Sequence, residues 1–72
     1  MEYNIEGKKI KVIIAKSTTL ADNHYYAGIF DEHLEPINRV FRAFNTPKEA
    51  ERWLKESFEA LFPKHRHIYR GP

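Results

Sequence analysis

The chain has 72 residues, a formal charge of +2 and no cysteine. A chain of this length buries only about 60% of its unfolded surface, which predicts one domain with a thin core. The absence of cysteine excludes disulfides and thiolate metal sites, and no apolar run is long enough to span a bilayer. The first residues show no basic segment followed by an apolar one, so we expect a cytoplasmic protein without a membrane partner.

Apolar β-branched residues at every second position predict a first strand over residues 8–17. Upstream, Tyr3 and Ile5 are expected to extend this strand. Gly7 is expected to mark a bend or bulge at its start, because glycine inside a strand pattern often does so.

Two further strands follow along the chain. A turn signal at Asp22-Asn23 precedes a second strand over residues 24–31, which is rich in aromatic and branched side chains. The acidic residues 31–35 predict a hairpin loop. Pro36 fits the boundary of a third strand over residues 36–44, since proline cannot donate to the ladder.

The only convincing helix covers residues 47–62. Thr46 is its expected N-cap, Pro47 fits the first helical position, and Glu49 completes a capping box. Pro63 ends the helix. The apolar face recurs at helical spacing and comprises Ala50, Trp53, Leu54, Ser57, Phe58 and Leu61.

These elements predict an α+β fold in which a three-stranded antiparallel sheet packs against one C-terminal helix, in the order β-β-β-α. The domain is expected to cover residues 1–63, followed by a short basic tail over residues 64–72. The predicted core comprises Ile10, Val12, Ile14, Tyr25, Ala27, Ile29, Phe41, Phe44, Ala50, Trp53, Leu54, Phe58 and Leu61. One helix covers one face of a sheet, so the other face is expected to remain open to a partner.

The junction between sheet and helix resembles a known family. The motif consists of residues 24–31 followed by Arg42-x-Phe44-x-Thr46-x-x-Glu49-Ala50-x-x-Trp53-Leu54. It is similar to the arm-type DNA-binding domain of phage tyrosine integrases and to the plant Apetala-type domain. The hybrid-binding domain of ribonuclease H is similar at the same junction.

The resemblance implies that the open face binds DNA in the major groove while the helix backs the sheet. It would place on that face the residues His24, Tyr26, Gly28, Phe30, Asn38, Val40 and Arg42. One departure concerns the hairpin loop, which is usually basic in integrases. Here the loop carries Asp31, Glu32 and Glu35, which repel phosphates.

Two kinds of partner are therefore considered, nucleic acid and protein. Basic residues of the first strand, the third strand and the tail are the predicted nucleic-acid contacts: Lys9, Lys11, Arg42, Lys64, Arg66 and Arg70. Tyr26, Phe30 and Val40 are expected to lie together on the open face. They would either stack on bases or form the interface of a protein-interaction module, such as a phage-type inhibitor or a homodimer.

We expect neither catalysis nor a cofactor. The sequence contains no phosphate-binding loop, nucleophile elbow or metalloprotease motif. His65 and His67 have no third ligand nearby, so no metal site is predicted. The leading hypothesis is a small non-enzymatic nucleic-acid-binding module of phage or mobile-element type.

Overall fold

The computed structural model describes residues 1–17 and 24–71. It shows an α+β fold with an antiparallel sheet and a C-terminal helix, as predicted, but the sheet has four strands and not three. Its elements in chain order are β1 (Glu2–Ile5), β2 (Lys8–Lys16), β3 (Tyr25–Phe30), β4 (Pro36–Phe44), the helix α1 (Pro47–Leu61) and a 3₁₀ helix (Pro63–Ile68). The strands lie side by side in sequence order. The predicted turn at Asp22-Asn23 lies outside the described residues.

The additional strand is β1, which the sequence analysis treated as an extension of the next strand. Glu6 and Gly7 both have positive φ, 52° and 80°, and they form a two-residue connection between β1 and β2. Positive φ at both central residues is the pattern of a type I′ hairpin turn, whose twist matches that of the strands. The pairing continues beyond β1, because the Met1 amine donates a hydrogen bond of 2.7 Å to the Val12 carbonyl.

Alternation along the strands turns one face of the sheet toward α1. The fully buried side chains on that face include Val12 and Ile29, both with no exposed surface. The core is completed by residues of β1 that the prediction omitted and by the helix. Its buried members are Tyr3, Ile5, Ile10, Val12, Ala27, Ile29, Ala50, Leu54 and Phe58.

The helix begins and ends close to the predicted residues. The Thr46 hydroxyl accepts a hydrogen bond of 3.3 Å from the Glu49 amide, as an N-cap does, and Pro47 follows at the first helical position. The helix ends at Leu61, and the amide of Phe62 donates to the Phe58 carbonyl at 2.8 Å. Since α1 crosses β2, β3 and β4, it covers one face of the sheet.

The C-terminal segment packs on the helix side of the molecule. The Tyr69 ring lies 5.7 Å from the Tyr3 ring and 4.8 Å from the Phe58 ring, measured between centroids. The Tyr3 hydroxyl accepts a hydrogen bond of 2.8 Å from the Arg70 amide and donates one of 3.0 Å to the Gly71 carbonyl. These contacts connect the end of the chain to the edge strand β1.

The edge strand β4 is irregular near its start. Between the pairs Phe30–Pro36 and Gly28–Phe41, β4 advances five residues while β3 advances two, so β4 carries three extra residues. Two of them, Asn38 and Arg39, have left-handed φ values of 53° and 61°. This conformation costs an L-residue about 1–2 kcal/mol and bends the strand.

Candidate sheet-face binding site

The sheet surface opposite α1, here called the open face, is defined by the strand pairing. Lys11 pairs with Phe30, Ile13 with Gly28 and Ala15 with Tyr26, so these six residues share one face. On the other side of β3, Gly28 pairs with Phe41 and Tyr26 with Ala43. The open face is therefore largely apolar across β2, β3 and β4.

Three aromatic rings form a cluster on this face, here called the aromatic platform: Tyr26, Phe30 and Phe41. The rings of Tyr26 and Phe41 are nearly parallel, 4° apart, with centroids separated by 5.9 Å. Phe30 meets Phe41 edge-on, at 61° and 6.0 Å. Phe41 is the most accessible ring because 51% of its surface is exposed.

Gly28 lies in the strand between these rings. A Cβ atom on this residue would lie 2.7 Å from Cζ of Phe30 and 3.0 Å from Cδ1 of Phe41. Side-chain carbons do not approach so closely, and the rings therefore occupy space that only glycine leaves free. Glycine inside a strand commonly marks such a close approach.

Two predicted nucleic-acid contacts belong to the same face: Lys11 lies opposite Phe30, whereas Lys9 lines a cleft with Asp31 and Glu32 of the hairpin loop. Lys9 pairs with Asn4, and Lys11 pairs with Glu2, all on the open-face side of β1 and β2. Neither lysine forms an ion pair within the described ranges 1–17 and 24–71. Lys11 is therefore the cation nearest to the rings by strand pairing, and Lys9 lies at the acidic end of the same face.

Val40 and Arg42 do not share the open face, and this expectation from the sequence was wrong. Val40 packs against the core, and the Arg42 guanidinium lies 5.4 Å from the centroid of the Phe44 ring. Arg42 pairs with Ala27, which faces α1. Because the number of extra residues in β4 is odd, the two faces of the strand are exchanged for every residue after them. Phe41 therefore lies on the open face, where Val40 and Arg42 were expected.

Phe41 is accordingly the residue that the sequence analysis missed, since it was assigned to the core. The sequence does contain a signal against placing both Phe41 and Phe44 in the core. The two residues are three positions apart, and strict alternation puts such residues on opposite faces of a strand. Phe44 is the one that packs inward, against Trp53 at 5.3 Å.

The predicted contacts of the tail lie away from the open face. Lys64 lines a cleft beside Ile5 and Ile10, on the helix side of the sheet. Arg66 is exposed on the 3₁₀ helix, and Arg70 lies beside α1. The six predicted nucleic-acid contacts are thus divided between the two sides of the sheet.

The acidic hairpin loop has a structural role. The Asp31 carboxylate accepts hydrogen bonds from the backbone amides of His33 and Glu35, at 2.9 Å and 3.0 Å. Short polar side chains commonly fix turns in this way. In the described ranges 1–17 and 24–71, no three histidine or acidic side chains converge to hold a metal ion. No described helix is both long and apolar enough to cross a membrane.

Comparison with known proteins gives no relative: no family model, curated protein or solved structure matches the chain. The chemistry of the site is therefore read from its own residues. Flat rings with a lysine ammonium group one strand away can stack on planar ligands and neutralise nearby anions.

Proposed function

We propose that the protein is a small non-enzymatic module that binds single-stranded nucleic acid on its open face. The observation that supports this proposal is the aromatic platform next to Lys11, with Lys9 further along the same strand. Sheet-borne aromatic side chains stack on unpaired bases in several single-strand binders, and lysines neutralise the phosphates.

The spacing of the strands suits a nucleotide chain. Neighbouring strands lie about 4.8 Å apart, so Lys11 is one strand from Phe30 and two strands from Phe41. A base that stacks on Phe41 or Phe30 leaves its phosphate within reach of the long lysine side chain. Each stacked base contributes about 1–3 kcal/mol to binding. This stacking accepts any nucleotide sequence, because every base has a flat face.

A single strand fits this face better than a duplex. Bases inside a duplex are stacked on one another, so their flat faces do not meet a ring on a protein surface. The resemblance to arm-type domains implies duplex contacts from Arg42, but Arg42 lies on the other side of the sheet. The same resemblance supports the further proposal that the protein is of phage or mobile-element type.

The test is a titration of a labelled single-stranded oligonucleotide, followed by fluorescence anisotropy over a salt series. Two phosphate contacts predict a slope of about −1.4 in log affinity against log salt. The variant Phe41→Ala should bind about 5- to 150-fold more weakly. Leu34→Ala is the matched control, because Leu34 is an exposed apolar residue of the hairpin loop and is not one of the three platform rings. Unchanged binding by a folded Phe41→Ala protein contradicts the proposal.

A second candidate function is self-association through the same face. Ile13 and Phe41 lie on one cross-strand row and are 37% and 51% exposed, which is unusual for large apolar side chains. Light scattering separates the two functions. A dimeric mass that becomes monomeric in Phe41→Ala, without oligonucleotide binding, favours an interface between two copies.

A further inference from the structure

A second surface lies on the opposite side of the molecule, between α1 and the C-terminal segment. It is an open groove of about 720 Å³, here called the helix–tail groove. Its lining residues come from two separate parts of the chain: Lys48, Glu51, Arg52 and Lys55 from α1, and Tyr69, Arg70 and Gly71 from the segment.

The lining of the groove carries more positive than negative side chains. Lys48, Arg52 and Lys55 recur at helical spacing on one side of α1, and Arg70 faces them from the segment that the Tyr3 hydroxyl holds in place. Among the described residues, none of these four cations forms an ion pair within 4.0 Å. Glu51 is the one acid among the described residues that line the groove, and four of the other lining residues are cations.

Tyr69 gives an independent indication of a ligand. In the described part of the chain, its hydroxyl is the buried side-chain polar atom that lacks a hydrogen-bond partner. Burial raises the pKa of Tyr69 to about 12, with smaller contributions from Tyr3 and Glu51. The residue lines the groove, and its O–H is a buried donor without a partner among the described residues.

We propose that the helix–tail groove binds an oxyanion of the phosphate type. Arg52 and Arg70 would bind its oxygens through their guanidinium groups, since the planar fork of arginine suits phosphate geometry. The Tyr69 hydroxyl, which is buried in this structure, would donate to a further oxygen after a local rearrangement of the groove. Such a site is separate from the open face, because it lies on the helix side of the sheet.

The experiment follows backbone amide resonances of the full chain during addition of sodium phosphate, with sodium chloride holding the ionic strength constant. Saturable shifts are expected at the groove, around residues 48–55 and 69–71. Arg52→Gln and Arg70→Gln should each weaken binding by about tenfold. Lys8→Gln removes an equal charge at an exposed position outside the groove and should leave the affinity unchanged.

Two further variants distinguish a ligand site from a structural patch. Glu51→Gln should tighten phosphate binding, because it removes the only negative charge of the lining. Tyr69→Phe should weaken phosphate binding and at the same time raise the melting temperature, because it removes an unpartnered buried hydroxyl. A purely structural role would not couple a more stable protein to weaker binding.

The source of the phosphate is identified by comparing free phosphate with a single-stranded oligonucleotide. If Arg70→Gln weakens both, the groove binds phosphates of a strand. If it weakens only free phosphate, the site serves a small anion. Phe41→Ala should retain phosphate binding in either case, which separates this proposal from the open-face function. Absence of saturable shifts, or equal affinity in Arg70→Gln and Lys8→Gln, overturns the proposal.

Discussion

Gly28→Ala is expected to disturb the aromatic platform while leaving the sheet folded. The new Cβ would lie 2.7 Å and 2.8 Å from two ring carbons of Phe30, and 3.0 Å from one of Phe41. At least one ring must therefore move. Both are surface side chains that can rotate, and Gly28 is not among the residues with positive φ. The backbone itself thus accepts alanine without strain.

The expected effect on stability is small because two contributions oppose each other. Alanine in a strand interior is about 0.5–1 kcal/mol more favourable than glycine. Loss of one aromatic pair costs about 0.5–1.5 kcal/mol. The free energy of unfolding should therefore change by about 1 kcal/mol or less. Loss of one stacked base, in contrast, lowers affinity by about 5- to 150-fold.

The assay measures both quantities on the same protein. Urea unfolding followed by circular dichroism gives the free energy of unfolding, and oligonucleotide anisotropy gives the affinity. Wild-type affinity in a stable Gly28→Ala protein would show that the ring arrangement does not form the binding surface. A destabilisation of about 3 kcal/mol or more would refute the claim that only side chains resist the new methyl group.

Other predictions concern the helix and the C-terminal segment. Tyr3→Phe should lower the free energy of unfolding by about 1–3 kcal/mol, because two backbone groups of the C-terminal segment lose their hydrogen-bond partner. Urea unfolding measures this change. An unchanged free energy of unfolding would contradict the observed contacts. Thr46→Ala should cost about 1 kcal/mol by leaving the Glu49 amide uncapped, whereas Thr46→Ser should retain most of the stability. Tyr69 has a pKa near 12 in the folded chain and about 10 when unfolded, so the folded state holds its proton more tightly. The pH-dependent contribution of Tyr69 to the free energy of unfolding should therefore be fully present below pH 10 and be lost between pH 10 and pH 12. The decrease over this range should be smaller in Tyr69→Phe.

Local patterns were sufficient to predict the elements that depend on their own residues. The cap at Thr46, the end of the helix before Pro63 and the inward side of β2 are all set by short-range chemistry. Long-range pairing was harder to predict. β1 has only four residues, and its partner is fixed by a turn in which Glu6, a non-glycine residue, adopts positive φ.

The error at Val40 and Arg42 has a different origin. Face assignment along a strand depends on an unbroken alternation, and one irregularity reverses every later residue. Asparagine adopts the left-handed conformation more readily than most residues, but Arg39 gives no such signal, so Asn38 alone did not place the irregularity in β4. As a result the sequence predicts two of the three rings of the platform, Tyr26 and Phe30, whereas Phe41 was expected in the core.

The two proposed sites lie on opposite sides of one sheet, and this arrangement determines how they should interact. The core between them is closely packed, since Val12, Ile29 and Leu54 have no exposed surface. Sites without shared contacts usually contribute additively. Phe41→Ala and Arg70→Gln should therefore have additive effects on free energy when each ligand is measured separately. With an oligonucleotide long enough to reach around the edge of the sheet, weaker binding by both Phe41→Ala and Arg70→Gln, with effects that add within about 0.5 kcal/mol, would show that one strand contacts both surfaces.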